Sequence, residues 1–121
     1  MNKLVLSMGL LMMASVVNAQ PGPDSVQIND TRGVREERIQ FGDLNLTNSV
    51  AITTLYARIA NAAKHVCGDS DGKNLQVWAQ ERKCKGEAIR LAVHRVNHSA
   101  LTAYWAKTVA GKDRAHLAQT A

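Results

Sequence analysis

The two cysteines of this chain restrict how its helices can pack against each other. Cys67 and Cys84 are the only cysteines in the sequence, and each falls on the apolar face of a segment with helical periodicity. Two cysteines in an exported chain are far more often bonded to each other than free. A bond between these two cysteines closes the loop between them and restricts the unfolded chain, which stabilises the folded protein by about 3 kcal/mol. We therefore predict a disulfide between Cys67 and Cys84 that joins two helices.

Residues 1–19 are typical of a secretory signal. Lys3 gives a positive start, an apolar run extends from Leu4 to Val17, and small residues precede a predicted cleavage site after Ala19. The alternative is a retained membrane anchor, which is disfavoured because the apolar run is short for a bilayer and a Pro-Gly-Pro sequence follows it. The sequence thus predicts a periplasmic or secreted protein, with no transmembrane anchor after signal removal.

The mature chain has the length and charge of one small soluble domain. Removing residues 1–19 from the 121-residue chain leaves 102 residues, and the loss of Lys3 lowers the formal net charge from +5 to +4. A chain of this length suits a single domain. Because the charges are scattered rather than clustered in a basic run, we expect them mainly to favour solubility.

Residues 20–33 are predicted to be a linker or a weak strand. Apolar and polar residues alternate around Val26 and Ile28 and again around Ile39 and Phe41, and turn-forming residues separate the two stretches. Such alternation is typical of short strands. The sequence therefore predicts a short N-terminal β segment that is compatible with a hairpin.

The segment from about Asn48 to Cys67 has the clearest helical pattern. At 100° per residue its apolar side chains fall on one side and its polar ones on the other. Thr47 is predicted to cap the start, because a hydroxyl oxygen can accept a bond from an unpaired backbone N–H. Gly68 is predicted to end the helix, because glycine adopts a positive φ at little cost. The apolar side contains Ile52, Leu55, Tyr56, Ile59, Ala60, Ala63, Val66 and Cys67.

A second amphipathic helix is predicted to begin between Leu75 and Gln80 and to end near Val96. Its apolar face contains Cys84, so the disulfide would hold the two helices as an antiparallel hairpin with facing apolar sides. The other residues on this face are Ala88, Leu91, Ala92 and Val96, with Ile89 and Val93 widening it.

The C-terminal part is predicted to contain a short third helix and a tail. Ser99 is placed to cap the helix, and residues 111–121 are polar enough that we expect a flexible tail. The predicted fold class is mainly α, a disulfide-stapled antiparallel helical hairpin with a short third helix and a short N-terminal β segment. The helical domain covers residues 34–110.

The sequence offers weak metal-site candidates and no catalytic motif. His94 and His98 would share a face at metal-ligand spacing if the second helix continued past Asn97. A zinc or copper site needs three or four converging ligands, so two solvated histidines near a helix C terminus are the simpler interpretation. No nucleophile elbow, H-E-x-x-H pair or phosphate-binding glycine loop occurs. We predict a non-enzymatic protein with no cofactor and no metal site.

The sequence leaves two alternative functions open and disfavours nucleic acid as a partner. The alternatives are a small metal-handling protein that uses its surface histidines and a hydrolase with dispersed catalytic residues. The aromatic side chains could stack on single-stranded nucleic acid, but export removes most nucleic acid from reach, and no nucleic-acid partner is predicted. These side chains are Tyr56, Trp78, Tyr104 and Trp105.

The strand at Ile39–Phe41 is expected to need a partner, because a lone strand leaves its backbone N–H and C=O groups unpaired. We rank the Val26–Asn29 segment first and a second copy of the strand in a homodimer second. A strand of another envelope protein is the third alternative. The charged run from Arg35 to Arg38 would discourage indiscriminate pairing.

Several short motifs lie between Ile39 and Lys107. They are the Ile39–Leu46 stretch, the run from Leu55 to Gly68, and shorter elements from Cys84 to Ala103. Together with the signal they resemble the UrcA family, small exported bacterial proteins with no established biochemical activity. The resemblance implies an exported helical domain and supplies no catalytic or ligand residues. We therefore predict a binding or accessory module whose helical hairpin is the scaffold and whose polar faces are the contact surface.

Overall fold

A computed structural model describes residues 24–120, which form a two-stranded sheet and three helices. In chain order the elements are β1 (Ser25–Asn29), β2 (Glu36–Gln40), α1 (Ser49–Cys67), α2 (Leu75–Val96) and α3 (Ser99–Thr120). The predicted fold class is confirmed: the chain is mainly helical, with a short antiparallel sheet near its N terminus. The predicted signal, its cleavage site and the first residues of the predicted linker lie outside the described residues.

The β-hairpin is built within the chain. β1 and β2 pair antiparallel, with Val26 opposite Ile39. The Ile39–Phe41 strand thus has the first-ranked of its predicted partners, and pairing with a second copy or with another envelope protein stays a prediction. β1 lies in the segment predicted to be a linker or a weak strand, and it packs on both α1 and α2.

The two outer edges of the hairpin each receive a hydrogen bond from an arginine. Arg58 of α1 donates to the Gln40 carbonyl at 2.9 Å, and Arg95 of α2 donates to the Gln27 carbonyl at 2.7 Å. Arg58 also donates to both carboxylate oxygens of Asp43, and these bonds hold the pKa of Asp43 below its usual value of 3.8. An open strand edge is a template for pairing with other chains, so the two arginines disfavour such pairing.

The core is one apolar cluster to which the sheet and the three helices contribute. Leu55 and Ile59 of α1 and Leu101 of α3 are completely buried. On α2 the buried positions include Ala88 and Ala92, whose small side chains let that helix lie close to its neighbours. The buried cluster consists of Val26, Ile28, Ile39, Phe41, Ile52, Leu55, Ile59, Ala62, Ala63, Val66, Ala88, Ala92, Val93 and Leu101.

The N-terminal cap of α1 differs from the prediction. Asn48, not Thr47, precedes the first helical residue, and its side chain accepts a bond from the Val50 N–H at 2.9 Å. Thr47 instead donates its hydroxyl to the Asn45 side chain at 2.6 Å. Asparagine and threonine both cap well. The helix starts one residue later than a Thr47 cap requires, which gives the role to Asn48.

The C-terminal end of α1 is confirmed at Gly68. Its φ is +96° and its N–H donates to the Lys64 carbonyl at 2.9 Å. A Cβ at this position would lie 2.6 Å from a carboxylate oxygen of Glu81, so both the backbone angle and the close approach favour glycine. Glu81 also accepts the Ser70 N–H, which fixes the loop between α1 and α2.

The predicted disulfide is confirmed. Cys67, the last residue of α1, is bonded to Cys84 of α2, and their Cα atoms are 5.7 Å apart. The bond joins the two helices near their connecting loop. Asn74 ends that loop by accepting hydrogen bonds from the Gln76 and Val77 N–H groups at the start of α2.

The C-terminal end of α2 was predicted correctly, whereas one residue of its apolar face was not. The helix ends at Val96 because Asn97 adopts a left-handed conformation with φ of +53°, so the continuation past Asn97 that a His94–His98 site required does not occur. Leu91, predicted on the apolar face, is 36% exposed. It lies at the rim of a cavity beside the loop that joins β1 and β2, where no core residue covers it fully.

The third helix is longer than predicted. α3 extends from Ser99, its first helical residue rather than its cap, to Thr120. Residues 112–120 contain no proline and include several strong helix formers, and the single Gly111 costs a helix only about 1 kcal/mol. The flexibility predicted for residues 111–121 concerns motion and stays a prediction. Within residues 24–120, no helix combines the length and the apolar character needed to cross a membrane.

Candidate functional site

The structure separates the two histidines that the sequence placed together. His94 is exposed on α2, whereas His98 follows the break at Asn97 and precedes α3. The Nδ1 atom of His98 is buried and has no hydrogen-bond partner within the described part of the chain. No three His, Cys, Asp or Glu side chains converge to form a metal site among residues 24–120. The metal hypothesis therefore lacks the shared helical face on which it depended.

A cleft lies between α1, α2 and α3, and we call it the three-helix cleft. Its volume is about 480 Å³, within the range of small-molecule sites. Its floor is largely apolar and aromatic, and one helix contributes a glycine to it. The floor consists of Tyr56 and Ala60 of α1, Gly86 and Ile89 of α2, and Trp105 and Val109 of α3.

The floor is held rigidly because it continues into the core. Ile89 and Trp105 are partly buried and pack against the core cluster. The rings of Tyr56 and Tyr104 meet edge to face with their centroids 5.2 Å apart. Burial, with a smaller contribution from Tyr104, raises the pKa of the Tyr56 hydroxyl above 10.0. Tyr56 is therefore neutral at neutral pH and adds no negative charge to the cleft.

The rim of the three-helix cleft is strongly basic. Its charged side chains are Lys64, Arg82, Lys85, Arg90, Lys112 and Asp113. Five cations thus surround one carboxylate. Such a rim raises the local concentration of anions.

Some of the rim cations already have partners outside the cleft. Lys85 lies 3.3 Å from a carboxylate oxygen of Asp69, and Arg90 binds both carboxylate oxygens of Glu87. In contrast, no ion pair within the described residues involves Lys64, Arg82 or Lys112. The two lysine ammonium groups come from α1 and α3 and remain available to a ligand.

Gly86 leaves space in the floor of the cleft. A Cβ at Gly86 would have no heavy atom within 4 Å, so the position is open rather than forced to be glycine by packing. A glycine inside a helix costs about 1 kcal/mol relative to alanine. Its φ is not among the positive values of the backbone. Neither packing nor backbone conformation requires a glycine here, and the absence of a side chain leaves this part of the cleft lining open.

Two further cavities flank the loop that joins β1 and β2, with volumes of about 590 and 510 Å³. The larger one has the disulfide in its wall, and its three cations face the carboxylates of Asp30 and Glu81. Both of these carboxylates already accept backbone N–H bonds. The smaller cavity has equal numbers of basic and acidic side chains. The three-helix cleft is therefore the stronger candidate, because it alone of the three combines a large charge excess with an aromatic floor.

The lining of the three-helix cleft combines charge with an apolar surface. Its charged residues are five cations and one carboxylate, and the others are tyrosine, tryptophan and small or apolar residues. The arrangement can hold an anion whose remaining part is apolar.

Comparisons with protein-family models, with curated proteins and with solved structures found no match for this chain.

The apolar and polar faces of the predicted helices do not indicate the cleft, but one residue in the interior of the second helix could have done so. Lys64 lies on α1 and Trp105 on α3, and nothing local in the sequence joins them. Gly86 is the exception, because a glycine in the interior of a helical pattern often has a packing or functional reason.

Proposed function

We propose that this chain is an exported, non-enzymatic binding or accessory module, similar to the UrcA family, that binds its ligand in the three-helix cleft. One observation carries the binding role: a basic rim surrounds an apolar floor to which Gly86 adds no side chain. Export is supported by the signal pattern and by the disulfide between Cys67 and Cys84, which is compatible with an oxidising compartment.

Export is tested by the intact mass of the protein recovered from a periplasmic extract. We expect the mass of a chain whose first residue is Gln20, because the small residues before Ala19 favour cleavage after it. Thiol titration of the same sample checks the oxidation state of the cysteines. A recovered mass that still contains residues 1–19 would contradict the proposed processing.

Binding is tested with anilinonaphthalene sulfonate, a probe that joins an apolar ring system to one negative charge. We expect the oxidised wild-type protein to bind it with a rise in fluorescence. Gly86→Leu should weaken binding at least about tenfold, because the new side chain occupies the floor of the cleft.

Gly111→Leu is the matched control for this variant. Gly111 also lies inside a helix and has no heavy atom within 4 Å of a Cβ, but it does not line the cleft. Both variants should be at least as stable as the wild type, because leucine favours a helix over glycine by roughly 0.8 kcal/mol. Equal loss of binding in the two variants, or no binding by the wild type, would remove the cleft as the functional site.

A further inference from the structure

We infer that the three-helix cleft takes a single amphiphile that combines an apolar chain with a doubly charged anionic group such as a phosphate monoester. The inference rests on the proposed function, because it names the class of ligand for the same cleft. It goes beyond the proposed function by assigning the charge of the ligand and by naming a single small molecule, not a membrane surface, as what the cleft binds.

The charge of the ligand follows from the charges of the rim. Of the five rim cations, Lys85 and Arg90 have carboxylate partners outside the cleft, and the formal charge of Asp113 offsets one of the other three. The formal net charge that remains is +2. A ligand with two negative charges neutralises it, whereas a singly charged ligand leaves a net charge of +1.

The positions of the available cations favour one compact anionic group. Lys64 belongs to α1 and Lys112 to α3, and both line the same cleft as Arg82 of α2. The guanidinium of Arg82 also lies over the Trp78 ring, 4.7 Å from its centroid. A phosphate monoester has three terminal oxygens, so it can accept bonds from groups that approach from several sides.

The apolar part of the ligand follows from the floor. Trp105 and Ile89 are partly buried against the core, and Val109 is 38% exposed. This surface gains free energy when an apolar chain covers it. Inorganic phosphate would leave the floor in water, so it should bind weakly despite having the required charge.

The size of the cleft favours one molecule over a bilayer surface. A volume of about 480 Å³ between three helices lies within the range of small-molecule sites. Contact with a bilayer instead requires an outward-facing apolar surface with basic residues around it. Here Ile89 and Trp105 are partly buried against the core, and the cations lie around them.

The test compares octyl phosphate with octyl sulfate at about pH 8, where the phosphate carries nearly two charges. The two probes have the same alkyl chain. Both are used below their critical micelle concentrations in calorimetric titrations with the oxidised protein. We expect the phosphate to bind about tenfold more tightly than the sulfate. Octyl glucoside and inorganic phosphate should each bind much more weakly than octyl phosphate.

A pair of lysine variants tests the source of this preference. Lys64→Gln combined with Lys112→Gln should reduce octyl phosphate affinity to about that of octyl sulfate, because it removes the two unpaired ammonium groups. Lys107→Gln is the control, since Lys107 is an exposed lysine of α3 that does not line the cleft. It should leave the phosphate preference unchanged.

Several outcomes would overturn the inference. Equal affinity for octyl phosphate and octyl sulfate would contradict the doubly charged ligand while leaving the cleft as a binding site. Binding to phosphatidylglycerol vesicles that exceeds binding to octyl phosphate at matched lipid concentration would identify a membrane surface instead. If neither octyl probe nor anilinonaphthalene sulfonate binds, the proposed function itself fails.

Discussion

Replacing both cysteines by serine should lower the free energy of unfolding by about 3 kcal/mol. The disulfide closes the chain between Cys67 and Cys84, a separation of 17 residues, and without it the unfolded chain gains conformational freedom. For a domain of about this size, the melting temperature should fall by roughly 15 °C. Urea unfolding of the oxidised wild type and of the double variant measures the difference.

Reduction provides the control for the cysteine variant. The reduced wild type should unfold at nearly the same urea concentration as the double serine variant, and the variant itself should not respond to reductant. A double variant that melts within a degree or two of the oxidised wild type would mean that the helices pack equally well without the bond.

Leu55→Ala should destabilise the fold by about 2–5 kcal/mol, because it removes buried methyl groups and leaves a cavity. Leu55 is completely buried, in the helix that contacts both strands and both other helices. The matched control is Leu75→Ala, the same substitution at a residue that is 76% exposed. That variant should change stability by less than about 0.5 kcal/mol. Similar losses in the two variants would contradict the assignment of the core.

The fold was largely predictable because its main determinants are local. The apolar periodicity before Cys67 and around Cys84 marks two amphipathic helices, and the disulfide fixes how they face each other. The alternation at Val26 and Ile39 marks the two strands that pair in the structure. In each case neighbouring residues carry the pattern, so one sequence is sufficient to detect it.

The errors arose where a choice depends on small energy differences. Thr47 and Asn48 can both cap a helix, and which one does so depends on where the preceding turn ends. Residues after Gly111 are polar, yet polarity does not prevent a helix from continuing when strong helix formers follow. Leu91 fits the apolar side of a helical wheel, but its exposure depends on the position of the β-hairpin loop.

The three-helix cleft could not be predicted in the same way. Its rim combines Lys64, Lys85 and Lys112 from three helices, and no local pattern in the sequence marks any of these lysines as part of a site. Only the packing of α3 against α1 and α2 brings them together. Gly86 is a helix-interior glycine of the kind that often has a packing or functional reason, but Gly111 has the same pattern and does not line the cleft.

The position of the bound probe on the protein is the most direct test of the account. Amide NMR spectra of the oxidised protein, recorded during titration with octyl phosphate, report which backbone groups respond. We expect the largest changes at Gly86, Ile89, Trp105 and Val109, which form the floor of the three-helix cleft. Changes centred on the loop that joins β1 and β2 and on the disulfide would place the ligand in the other large cavity and contradict the account.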